Sequence, residues 1–182
     1  MTNVPAGGVV DVDGFNNLSD DAAGSLLLSC LAVPSWVAEL VAHRPYRNAS
    51  DLLTQARVSA STLGADQVQS ALERHPQIGE AAGVGHDAEF SEQEQSGFDR
   101  EDAEMVAAMS RGNVDYESRF GHIFLIRAAG RTADEILAEL RRRLANTPEI
   151  ELAEVVRELG EIAGLRLGKL VEDNKTSQGS QL

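Results

Sequence analysis

Apolar residues in this chain recur at three- and four-residue intervals far more often than at alternate positions, the period of helices with one buried face. Ser19 precedes a first such helix running to about Leu31, with Leu26, Leu27 and Cys30 inward. Pro34 breaks it and Ser35 can cap the next, whose apolar face is Trp36, Val37, Leu40 and Val41 and which ends at Arg44-Pro45-Tyr46. Ser50 precedes a third helix carrying Leu52, Leu53 and Ala56, and a fourth is predicted from about Ala65 to Arg74. The glycine-rich residues 79–90 read as a loop without the strand-before, helix-after setting of a phosphate loop. Ser91-Glu92-Gln93-Glu94 has the capping-box form, opening a helix with Phe98, Met105, Val106 and Met109 that Arg111-Gly112-Asn113 is expected to close.

The run from Tyr116 to Ile126 is the one strand-like stretch. A lone strand builds no sheet, so an extended segment threading the core, or the start of a short helix, is expected. Gly130 and a second capping box, Thr132 with Glu135, introduce a helix carrying Ile136, Leu137, Leu140 and Leu144. Its Arg141-Arg142-Arg143 are expected at a solvated end favoured by the helix dipole. Asn146-Thr147-Pro148 starts the last and longest helix, with a stripe of Leu152, Val155, Val156, Leu159, Ile162, Ala163, Arg166 and Leu170. The pattern predicts an all-α, single-domain compact bundle of roughly eight to nine helices over residues 15–171. Residues 1–14 form a flexible amino-terminal arm in this reading, and 172–182 a frayed tail.

Sixteen basic against twenty-nine acidic residues give a formal charge of −13, which argues against general nucleic-acid binding. A small anionic substrate remains compatible with it, because a local arginine can outweigh the global field. Cys30 stands alone, so no internal disulfide or cysteine metal cluster is expected. No apolar run approaches the roughly 20 residues of a membrane span. With no signal pattern in residues 1–14, a cytoplasmic enzyme is expected.

Three polar residues occupy positions where the period calls for apolar ones. His75 follows Val68 and Leu72 at i+7 and i+3, and Pro76 bends the chain immediately after it. Arg166 lies three after Ala163 and four before Leu170, and Glu94 four before Phe98. An inward arginine needs a partner or an anion. An internal Arg166–Glu94 pair with His75 as a bystander satisfies that need, and so does a polar pocket shared by all three.

Several short motifs stand in one order: Pro34-Ser35-Trp36-Val37, Arg44-Pro45-Tyr46, His75-Pro76-Gln77-Ile78-Gly79, Ser91-Glu92-Gln93-Glu94-Gln95, the run from Phe120 to Ile126, and Leu165-Arg166-Leu167. In this order and spacing, from about Asn16 to Leu170, the chain resembles the decarboxylases of 2-oxo-4-hydroxy-4-carboxy-5-ureidoimidazoline (OHCU), which complete the conversion of urate to allantoin. The resemblance implies an all-helical fold, commonly homodimeric, that turns OHCU into (S)-allantoin and CO2 without a cofactor or metal. It implies His75 as catalytic acid/base, with Glu94 assigned to both catalysis and substrate binding. Substrate contacts implied with them are Pro76, Ser91, Glu92, Gln93, Gln95 and Arg166, together with backbone groups of Phe124, Leu125, Ile126, Arg127 and Ala128. Two positions depart from the family pattern. Gln77 stands where many members have arginine or aspartate, and Phe120-Gly121-His122-Ile123-Phe124 where others read Phe-Gly-Phe-Pro-Phe, which brings His122 near the site.

The residue types suit that chemistry. The substrate's own carbon–nitrogen double bond can accept the electrons released with carbon dioxide, so the protein need only orient, neutralise and move protons. A metal hydrolase built on His75, His86, His122 and Glu94 is disfavoured, because no two of these histidines have the i, i+4 spacing of a helical zinc pair. A non-catalytic helical interaction protein that kept the fold is the other alternative.

Overall fold

The computed structural model describes residues 9–73, 75, 77–78 and 102–174. Eight helices and two two-residue strands lie among them, so the fold is all-α as expected. They group into two units, one of residues up to 59 together with 163 onward, the other of residues 60–162. Among the described residues no helix is long and apolar enough to cross a membrane.

The first unit holds β1 (Val10–Asp11), α1 (Val12–Asn16), α2 (Asp20–Cys30), α3 (Pro34–Ala42), most of α4 (Ala49–Ala60), the last turns of α8 (Pro148–Leu170) and β2 (Val171–Glu172). Val10 pairs in parallel with Val171, and Asp11 with Glu172. Structure therefore begins inside the span read as a loose arm and continues into the first residue of the span read as a tail. The cause is burial: Val12, Phe15 and Val171 are core residues, and a chain end carrying buried side chains is held. Residues 1–8 and 175–182 lie outside the described set.

Ser19 caps α2 as expected, accepting from Ala22 N–H at 3.3 Å. Ser35 does not cap α3; Pro34 is itself in the first turn, where its missing N–H costs nothing. Nor does Ser50 cap α4. Asn48 does, accepting from Asp51 N–H at 2.8 Å, while the Asp173 carboxylate accepts from Ala49 N–H at 2.7 Å. Trp36 is buried and donates its indole N–H to the Ala56 carbonyl at 2.9 Å. The Arg44 guanidinium collects the Leu18 carbonyl at 2.8 Å, the Phe15 carbonyl at 3.2 Å and the Asp20 carboxylate. Asn16 and Tyr46 exchange two hydrogen bonds of 2.8 and 2.9 Å. The tryptophan and arginine motifs thus hold the α1–α4 layer together.

The second unit holds α5 (Ala65–Leu72), α6 (Ala103–Phe120), α7 (Ala133–Arg143) and the first part of α8. Its core joins Ile78, Met109, Tyr116, Phe124, Ile126, Ala128, Ile136, Leu137 and Leu140. Helix α6 is capped by Asp102, which accepts from Glu104 and Met105 N–H at 3.0 Å each. It runs through Arg111-Gly112-Asn113 instead of closing there. Gly112 is a packing residue: a Cβ on it would lie 2.3 Å from Leu140 Cδ2. The helix stops at Gly121, whose φ of 76° is the left-handed conformation that ends helices cheaply in glycine. Residues 123–128 then cross the unit without regular structure, Phe124, Leu125, Ile126 and Ala128 buried. This is the threading segment expected of the strand-like run, although Tyr116 to Phe120 belong to α6. The Thr132–Glu135 capping box and the Pro148 start form as read.

Candidate functional site

His75 lies in the second unit, just past the end of α5. Its N–H donates to the Leu72 carbonyl at 3.0 Å, and its ring Nδ1 sits 3.0 Å from the Ala71 carbonyl. A carbonyl can only accept, so Nδ1–H is the donor in this contact, and the other ring nitrogen, Nε2, is buried. The residues after it are tied to α6: Asn113 Nδ2 donates to the Ile78 carbonyl at 3.1 Å, and the Gln77 amide donates to the Glu117 carboxylate. Asn113 and Glu117 are one turn apart, so one face of α6 holds the two residues Gln77 and Ile78.

Residues 123–128 are gripped in the same unit by α7 and α8. Arg143, expected at a solvated end, is fully buried. Its Nε and Nη2 reach Glu151 Oε1 at 2.8 and 2.5 Å, and its Nη1 donates to the Leu125 carbonyl at 2.8 Å. The Glu151 carboxylate also accepts from the Tyr116 hydroxyl, and from Asn146 Nδ2 at 2.7 Å. Burial is the largest single influence on Arg143 and works against its charge, but the hydrogen bonds and charges of Glu151 and Tyr116 together outweigh it and the guanidinium pKa is raised. Burial likewise pushes the Tyr116 hydroxyl up, Arg143 opposing and Glu151 assisting. Glu158, 3% exposed, accepts from Arg127 N–H at 2.8 Å and from Arg157 Nη2 at 2.9 Å.

His122 sits against Tyr116 edge-on at 5.5 Å and stacks on Phe120 at 6.2 Å. It lines a cleft of about 290 Å³ with Gln69, Glu73 and Glu117. Arg166 belongs to the first unit and is 1% exposed, the inward position the period gave it. The expected site residues therefore fall as follows. His75 and the backbone of Phe124, Leu125, Ile126, Arg127 and Ala128 share one unit, and Arg166 is in the other. Pro76, Ser91, Glu92, Gln93, Glu94 and Gln95 lie outside the described residues.

Three buried ions were missed: Arg143, Glu151 and Glu158. A signal for them was present. Glu151, Val155 and Glu158 stand at i, i+4 and i+7, one helix face, and Arg143 lies three after the buried Leu140. The position of Arg143 in the last turn of its helix also satisfies the dipole rule, which points to solvent and masks the inward spacing.

A sequence profile of the OHCU decarboxylase family matches residues 16–168. A 2-oxo-4-hydroxy-4-carboxy-5-ureidoimidazoline decarboxylase of Amia calva is 30% identical over 175 residues, 90% of this chain and 95% of that protein. The uric acid degradation bifunctional protein TTL of Arabidopsis thaliana is 26% identical over 148 residues, covering 79% of this chain. The chain spans 46% of that bifunctional protein's length and 34% of its counterpart PucL in Bacillus subtilis. A crystal structure of OHCU decarboxylase in the presence of (S)-allantoin matches with a TM-score of 0.66 at 26% identity, over 84% of this chain and 98% of that one. With its helical order and its motifs spread over nearly the whole matched span, the chain belongs to the OHCU decarboxylase family.

Proposed function

We propose that this protein decarboxylates OHCU to (S)-allantoin and CO2 in urate breakdown, with His75 as the acid/base. The family match across residues 16–168 carries the reading. The bond between the ring carbon and its carboxylate breaks. Its electron pair moves toward the adjacent carbon–nitrogen double bond, making a ring enol whose nitrogen takes a proton from solvent. His75 takes the hydroxyl proton and returns it to the neighbouring ring carbon from one face. That makes the hydroxyl carbon a carbonyl and the product a single enantiomer. Glu94 and Gln95 hold ureido and ring N–H groups, Ser91 assisting beside Glu92 and Gln93, and Pro76 shapes the wall next to His75. Arg166 pairs with substrate oxygens through its planar fork. Backbone groups between Phe124 and Ala128 supply the remaining contacts.

The reading includes a cytoplasmic homodimer that uses no cofactor, since the substrate provides its own electron sink. The test is the ultraviolet decay of freshly generated OHCU with and without protein, together with circular dichroism of the allantoin formed. Faster decay with optically active product is expected, and loss of both in His75→Gln. Racemic product at the spontaneous rate with wild-type protein refutes the activity. Full single-turnover decarboxylation by His75→Gln refutes only the role of the histidine.

A further inference from the structure

We infer that Arg143 and Glu158 are positioning residues that aim the backbone of residues 125–127 at the substrate. This rests on the function proposed above and on the contacts expected of that segment. A peptide unit is planar and trans, so fixing its carbonyl fixes its N–H in the opposite direction. Arg143 Nη1 holds the Leu125 carbonyl at 2.8 Å, which orients the Ile126 N–H in the same plane. Glu158 Oε2 holds the Arg127 N–H at 2.8 Å, which orients the Ile126 carbonyl. One donor and one acceptor of a single residue are thus set by two charged side chains from α7 and α8.

The charges are an expensive way to gain stability. Arg143 and Glu151 are both fully buried in the pair they form. Buried pairs of this kind rarely outperform apolar packing of equal volume. What they add is direction. The guanidinium fork serves Glu151 with one edge and the Leu125 carbonyl with Nη1, which a lysine point charge cannot do. Glu158 is held in turn by Arg157, so its carboxylate is not free to swing. Residues 123–128 have no helix or strand to define their peptide planes, so their orientation must come from such side chains.

The test compares steady-state decarboxylation by the full chain as wild type, Glu158→Leu, Glu158→Gln and Arg143→Lys. Helical circular dichroism establishes that each variant is folded. Losing one charge-assisted hydrogen bond to the segment is expected to raise KM about tenfold in Glu158→Leu and leave kcat nearly unchanged. Glu158→Gln keeps an amide oxygen for the Arg127 N–H and is expected to restore most of the affinity. Amide hydrogen exchange at Arg127 should quicken in Glu158→Leu without substrate present. A structural role alone would lower kcat with the folded fraction and leave KM unmoved, and that result overturns the inference. Should Glu158→Leu not fold, Arg143→Lys is read by the same split. An inactive wild type would instead remove the proposed function, an outcome distinct from an active wild type with unmoved variants.

Discussion

Replacing Arg143 with methionine separates a solvated helix end from a buried ion pair. The structure takes away two contacts to Glu151, at 2.8 and 2.5 Å, and one to the Leu125 carbonyl at 2.8 Å. Glu151 is left fully buried, with Tyr116 and Asn146 as its remaining side-chain donors among the described residues. Breaking a buried pair from one side costs about 3–5 kcal/mol. Against a typical domain stability of about 5–15 kcal/mol, that is roughly a fifth or more of the total. The measurement is urea denaturation followed by far-ultraviolet circular dichroism, run at low temperature with a stabilising osmolyte so that the variant has a folded baseline. Arg143→Met paired with Glu151→Leu should recover at least half of the loss, because the orphaned carboxylate goes with its partner. A cost below about 1 kcal/mol, the range of exposed arginines, would refute the reasoning, as would strict additivity in the double variant.

Gly112→Ala gains about 1 kcal/mol of helix propensity but forces a methyl against Leu140, so lower stability is expected by about 1 kcal/mol net; a raised denaturation midpoint would refute it. The chain's two tyrosines are both held neutral in the fold. Burial, then Glu39, pushes Tyr46 from 10.0 to about 12, Arg44 opposing, and Tyr116 is raised further, chiefly by burial. A raised folded value favours the neutral form. Its stabilising share is therefore complete below about pH 10 and lost as pH climbs through the folded value. Tyrosinate absorbance should stay low past pH 10 and rise only near 12, together with loss of helical signal; an ordinary titration with helices intact would refute it.

What the sequence made legible was local. Ser19, the Thr132–Glu135 box and Pro148 act on backbone within three residues, and each works as read. Arg166 and His75 were placed inward by spacing alone; Arg166 is buried, and His75 is half-buried with its Nε2 enclosed. The misreadings are those where a distant partner decides. Gly112 looked like a stop until Leu140 filled the space beside it. Ser50 yielded to Asn48 and to Asp173 from far along the chain. Arg143 satisfied a helix-end rule while its true surroundings came from α8 and from the 123–128 segment. The proposed site inherits the same division: its residue types are readable, and the charged groups that aim them are not.

The parallel ladder of Val10 with Val171 has a consequence for how the protein comes into being. On the ribosome, residues 60–162 are available to one another while the other unit still lacks its closing turns and last strand. Its opening strand and helices must wait for residues 163–172 before their packing is complete. Refolding from denaturant has no such schedule and must bring the same remote segments together by diffusion, so birth and rescue of this protein need not follow the same route.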